Sequence, residues 1–101
     1  MNPLLKKNLK QIRTFCQRYD VEKLYAFGSS ITDHFSERSD IDLIVKFKNL
    51  PFERYTDNYF ELLEILERLF DRKVDLMTEN SLSNPYFIKK VNRTKKLIYE
   101  G

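Results

Sequence analysis

Apolar residues recur at helical spacing at the start of the chain. Leu5, Leu9, Ile12, Cys16 and Tyr19 form one stripe, and Lys6, Lys7, Lys10 and Arg13 lie away from it. With Asn2 as N-cap and Pro3 at the first helical position, the pattern predicts an amphipathic helix over residues 3–19. Residues Lys23 to Phe27 read as a short strand ending at Gly28, and residues 30–36 as one or two helical turns. The run IDLIVKF, Ile41 to Phe47, is rich in β-branched and aromatic residues and predicts a second strand. Leu50-Pro51 opens a loop. Tyr59, Leu62, Leu63, Leu66, Leu69 and Phe70 then share one face of a long helix that turns Glu61, Glu64 and Arg68 outward. Lys73 to Met77, KVDLM, reads as a third strand. Asn84-Pro85 restarts a helix over residues 85–93, and Leu97 to Tyr99 add a terminal strand. The resulting order, α-β-(α)-β-α-β-α-(β), predicts an α/β (α+β) fold: a small mixed sheet with helices packed on it.

At 101 residues the chain has room for one domain, residues 1–101. Hydrophobic residues at 42% and aromatics at 14% exclude a disordered chain. The single cysteine, Cys16, excludes an internal disulfide, and its place on the apolar stripe makes it a buried thiol. The single histidine, His34, excludes the usual Cys/His zinc sites and reads as a surface residue. No apolar run approaches the roughly 18 residues of a membrane span, and MNPLLKKNLKQIR lacks a signal-peptide core. The expectation is a soluble cytoplasmic protein with no membrane partner.

The net charge of +3 conceals a division. Residues 1–27 and 84–101 are basic, whereas residues 28–83 are acidic. Basic ends could attract nucleic acid, but solvated helix faces account for these lysines more simply, so nucleic acid is the least favoured partner. The Tyr59–Phe70 stripe reads as core, and no pattern selects Tyr55 or Tyr59 to stack on a ligand.

The acidic middle carries the chemistry. In FGSSITDHFSERSDIDL a strand ends at Gly28-Ser29, and Asp40-Ile41-Asp42 opens the next strand. Alternation along that strand points Asp40 and Asp42 the same way and sends Ile41, Leu43 and Val45 into the core. Two adjacent carboxylates repel unless a hard cation lies between them. Asp75, polar within an apolar strand, becomes a third donor if its strand neighbours theirs, and three such carboxylates could hold two metal ions. Gly28 lets the backbone approach a phosphate, and the N–H groups of Ser29 and Ser30 can point at phosphate oxygens.

Gly-Ser followed by D-x-D, with a later Asp on a third strand, resembles the DNA polymerase β-like nucleotidyltransferase superfamily. Nearly the whole chain is similar to its minimal nucleotidyltransferase (MNT) proteins. The resemblance implies that Gly28, Ser29 and Ser30 bind a nucleoside triphosphate and that Asp40, Asp42 and Asp75 bind two Mg²⁺. Asp75 would also act as general base toward an acceptor hydroxyl. The implied reaction is transfer of AMP from ATP to a hydroxyl of a partner, a HEPN-domain protein, the chain being the antitoxin of a toxin–antitoxin pair. Many members carry Arg and Gly shortly after Gly-Ser; here Thr32 and Asp33 stand there, and Asp33 adds negative charge near the phosphates. That departure favours the alternative of a catalytically weak or inactive antitoxin that acts by binding its HEPN partner.

Overall fold

The structure is a computed structural model that describes residues 3–28, 40–79 and 82–101. The elements run α1 (Pro3–Lys7), α2 (Leu9–Arg18), β1 (Val21–Ala26), β2 (Ile41–Phe47), α3 (Phe52–Phe70), β3 (Val74–Thr78), α4 (Pro85–Thr94) and β4 (Lys96–Glu100). The Asn2 cap and the helical turns expected over residues 30–36 lie outside the described residues. No helix among the described residues is long and apolar enough to cross a membrane.

The strands form one mixed sheet in the order β3-β2-β1-β4. The interior strand β1 is antiparallel to both β2 and β4. The β2–β3 pair is parallel, which requires a crossover, and α3 supplies it. One face of the sheet is the core. Leu24, Ala26, Leu43, Val45, Leu76 and Ile98 are buried there beneath Leu5, Ile12 and Cys16 of α1–α2 and Leu62, Leu66 and Phe70 of α3. Burial raises the Cys16 thiol to about 12, in keeping with an inert core residue.

The single helix expected over residues 3–19 is two helices. Asn8 leaves the helical region at φ −105°, ψ 12°, and its side-chain amide donates to the Leu4 carbonyl at 2.9 Å. That carbonyl is the acceptor an unbroken helix would assign to the Asn8 backbone N–H, which turns to Leu5 O at 3.2 Å instead. The loop at Leu50-Pro51 is short: residues 48–51 follow β2, and the long helix begins at Phe52, ahead of the stripe that starts at Tyr59, and ends at Asp71 in the left-handed region, φ 52°. Buried Asn58 on α3 donates to Tyr19 O at 2.9 Å and so fixes α3 against the end of α2.

The second face of the sheet is not uniformly polar. Ile44 shares it with Asp42 yet is only 1% exposed, because α4 packs Val91 over Ile44 and Phe27. Phe87 meets Phe27 edge-to-face with ring centroids 6.0 Å apart. The N-terminus of α4 is capped by the Asn84 side chain, which accepts from Tyr86 N at 2.9 Å and Phe87 N at 3.3 Å. The carboxylates therefore occupy the part of this face that α4 leaves open.

Candidate active site

The site forms where β1 ends and β2 and β3 begin. Beyond Ala26 the ladder continues for one residue, since Phe27 N donates to Asp42 O at 3.1 Å. The next residue, Gly28, has φ 61°. A Cβ at this position would lie 2.8 Å from Oδ2 of Asp42. Two independent constraints thus select glycine: a left-handed backbone and a carboxylate oxygen in the space a side chain would fill.

On the other side of Asp42, the parallel register sets Asp42 opposite Asp75. Paired residues in neighbouring strands project to the same face, so the two carboxylates are adjacent. Asp40 precedes Asp42 by one alternation and is exposed, as is Asp75. Asp42 is the more enclosed of the three. Burial, then Asp75, then Asp40 raise its carboxyl to about 6. Sheet order therefore lines up Gly28, two residues past the end of β1, with Asp42 on β2 and Asp75 on β3, Asp42 lying in the middle.

The segment carrying Asp75 is held by α3 on both sides of that residue. Val74 N donates to Glu67 Oε2 at 3.1 Å, and Tyr59 Oη donates to Leu76 O at 2.5 Å. These bonds satisfy main-chain groups of β3, which is an edge strand and would otherwise leave them to water. Tyr59 is half-buried, and burial followed by Asp75 pushes its hydroxyl pKa upward. The sequence pattern put Tyr59 on the apolar stripe of α3; its hydrogen bond to β3 was not readable from spacing. Lys95, expected on a solvated surface, is half-buried with Nζ 4.0 Å from the centroid of the Tyr25 ring. It lines a cleft of about 270 Å³ with Ile44, Glu79 and Val91, on the same sheet face as Asp42.

Among the described residues, no three His, Cys, Asp or Glu side chains form a ready-made metal cage. Asp42 and Asp75 stand opposite each other across β2 and β3, and Asp40 lies one alternation before Asp42. Carboxylate oxygens are the donors a hard divalent cation takes, and an added positive charge would relieve the repulsion that raises Asp42. Ser29 and Ser30, expected to help cradle the phosphates, lie outside the described residues, as do Thr32, Asp33 and His34.

Comparison with known proteins gives four relevant likenesses. The chain matches the family described as Polymerase beta, Nucleotidyltransferase over residues 10–101. It is 35% identical over 96 residues to a Methanocaldococcus jannaschii protein provisionally named a protein adenylyltransferase, an alignment covering 95% of this chain and 90% of the relative. A solved structure, provisionally described as a minimal nucleotidyltransferase, superposes with a TM-score of 0.77 at 27% identity and 95% coverage of each chain. A chain from the complex of a tri-AMPylated Shewanella oneidensis HEPN toxin with an MNT antitoxin shares the fold, with a TM-score of 0.65 at 22% identity, covering 96% of this chain and 73% of that one.

Proposed function

The chain belongs to the polymerase β nucleotidyltransferase family, and on that premise we propose that it transfers AMP from ATP to a hydroxyl of a protein partner. The observation that carries this reading is the alignment of Gly28, just past the end of β1, with Asp42 on β2 and Asp75 on β3. In this reading the triphosphate lies on the Gly28 side, where the backbone is bare, and Ser29 and Ser30 of the sequence contribute N–H and hydroxyl donors to its oxygens. Asp40, Asp42 and Asp75 hold two Mg²⁺. When bound, the metal offsets phosphate charge and favours the ionised acceptor hydroxyl.

Asp75 accepts the proton of the acceptor hydroxyl, which attacks the α-phosphorus as pyrophosphate leaves. A base is best placed on the far side of the metal-binding carboxylates from the triphosphate, and Asp75 stands across Asp42 from Gly28. The names of the Methanocaldococcus relative and of the HEPN–MNT complex support a protein acceptor, specifically a HEPN-domain protein, with this chain as the antitoxin.

The test is label transfer. With ATP labelled in its α-phosphate, Mg²⁺ and a HEPN-domain partner, the wild-type chain should label the partner. Asp40→Ala/Asp42→Ala should lose at least about 10²-fold in rate, the scale on which removal of an electrostatic stabiliser acts. Transfer that persists in the double variant would refute the assignment. The extra carboxylate of Asp33 favours a second reading, a catalytically weak antitoxin that acts by occlusion. It predicts neutralisation of the partner without label, unaffected by the same substitutions.

A further inference from the structure

The strand β3 ends the sheet on the Asp75 side, and beyond it α3 and the β3 edge enclose a groove of about 350 Å³. Its lining is mainly apolar: Phe52, Tyr55, Tyr59 and Phe60 from α3, with Leu76 and Met77 from β3. Phe52 is 82% exposed and Phe60 61% exposed, a cost that core packing does not explain. On α3, Phe52, Tyr55, Tyr59 and Phe60 recur at helical spacing, so they form a stripe beside the buried stripe of Leu62 and Leu66.

The next stripe round the helix, on the solvent side of the groove, is acidic. Glu53, Asp57, Glu61 and Glu64 are exposed there. Among the described residues Glu64 pairs with Arg68, while Glu53, Asp57 and Glu61 make no ion pair. The groove is therefore apolar with a negative rim. The free edge of β3 cannot readily accept an added strand, because Tyr59 and Glu67 already occupy its main-chain groups at Leu76 and Val74. Side chains, not a strand, are what the groove can receive.

We propose that this groove docks the protein acceptor through an amphipathic segment, an apolar face flanked by Lys and Arg. The proposal rests on the reading of Asp75 as the acceptor-side carboxylate. The groove begins at Leu76 and Met77, immediately after Asp75, on the flank of the site away from Gly28. An acceptor held there arrives next to Asp75 without crossing the triphosphate side. Apolar burial supplies the affinity, and the acidic rim selects the basic flank and sets its orientation.

The probe is a fluorescein-labelled amphipathic helical peptide with Leu and Phe on one face and Lys along its flanks. Its counterpart carries Glu in place of Lys. Fluorescence anisotropy should show the basic peptide binding at least about tenfold more tightly than the acidic one, a gap that narrows with salt. Phe52→Ser/Phe60→Ser should weaken the basic peptide by about tenfold or more, as loss of central aromatic anchors does. Glu53→Lys/Asp57→Lys should abolish the preference for basic over acidic peptide. All four positions are exposed, so the variants should keep the wild-type circular dichroism spectrum and melting temperature.

Equal binding of the two peptides, or unchanged binding by the Phe variant, overturns the proposal. So does a wild-type dimer in sedimentation that Phe52→Ser/Phe60→Ser converts to monomer, because it assigns the face to a second copy of the chain. Titration with Mg²⁺ and ATP runs alongside and reports only on the carboxylate site. Failure there sinks the proposed reaction, whereas peptide binding reports on the groove.

Discussion

Replacing Asp42 with Asn should stabilise the metal-free protein at pH 8 while leaving its stability near pH 4 almost unchanged. Burial, Asp75 and Asp40 raise the Asp42 carboxyl from its ordinary 3.8 to about 6. One pKa unit corresponds to about 1.4 kcal/mol, so the undiscounted shift disfavours the ionised folded state by about 3 kcal/mol. The side chain is partly exposed, and solvent screening reduces this to roughly 1 kcal/mol. The sign follows from the two proton affinities. Below the unfolded value of 3.8 both states are protonated and the penalty is absent. Between 3.8 and about 6 the folded chain keeps a proton that the unfolded chain has lost, so stability declines as pH rises. Above that window the penalty is complete, and Asn escapes it because it never ionises. For a chain of this size, roughly 1 kcal/mol moves Tm by about 4–8 °C. Thermal denaturation in EDTA at acidic and alkaline pH reads the difference directly. A variant that is less stable than wild type at pH 8, or equally stabilised at both pH values, would show that Asp42 carries no electrostatic penalty. Magnesium should then reverse the order, raising Tm in the wild type and hardly at all in Asp42→Asn. An identical Mg²⁺ shift in both would remove Asp42 from the ligands.

Gly28→Ala should cost about 1–2 kcal/mol from the left-handed backbone alone, and its Cβ should displace Asp42. Calorimetric titration should show weakened Mg²⁺·ATP binding, and unchanged affinity would refute the close approach. Tyr59→Phe should lower stability by about 1 kcal/mol in urea denaturation, through loss of the bond to Leu76 O, and weaken Mg²⁺ binding by loosening the main chain beside Asp75. Asp71→Gly should raise urea stability by about 1 kcal/mol, since a left-handed helix terminus at φ 52° strains any residue bearing a Cβ. Cys16 should resist thiol reagents in the native protein and react only on unfolding, because burial raises it to about 12; rapid native labelling would contradict this.

What was legible in the sequence depended on whether one residue's neighbours along the chain decide its state. The strand Ile41–Phe47 falls where alternation put it, because Ile41, Leu43 and Val45 on one side enforce the register of the whole segment. The long helix was clear over Tyr59–Phe70 from its apolar stripe, but its first two turns from Phe52 were not. The break at Asn8 was not, because a polar residue on an exposed face fits a continuous helix until its own amide captures the Leu4 carbonyl. Ile44 was silent for another reason. Its burial is imposed by α4, which lies far along the chain, and nothing in IDLIVKF shows that the face bearing the carboxylates is half covered. Lys95 over Tyr25 and Tyr59 on Leu76 O are likewise contacts between distant segments.

The candidate site combines both kinds of information, and that division explains its construction. Gly28 and Asp42 meet because β1 and β2 are antiparallel, so the end of one strand necessarily faces the start of the next. Asp75 has no such local guarantee. Its strand is parallel to β2 and lies at the sheet edge, where pairing on one side alone holds the main chain. The crossover helix provides the missing restraint, with Glu67 fixing Val74 and Tyr59 fixing Leu76 on either side of Asp75. Helix α3 thus packs the core through Leu62 and Leu66, sets the height of Asp75 through two polar side chains, and presents Phe52 and Phe60 to solvent. A single element both steadies the main chain on either side of Asp75 and walls the adjoining groove. Tyr59 lines that groove and also bonds the carbonyl one residue from Asp75.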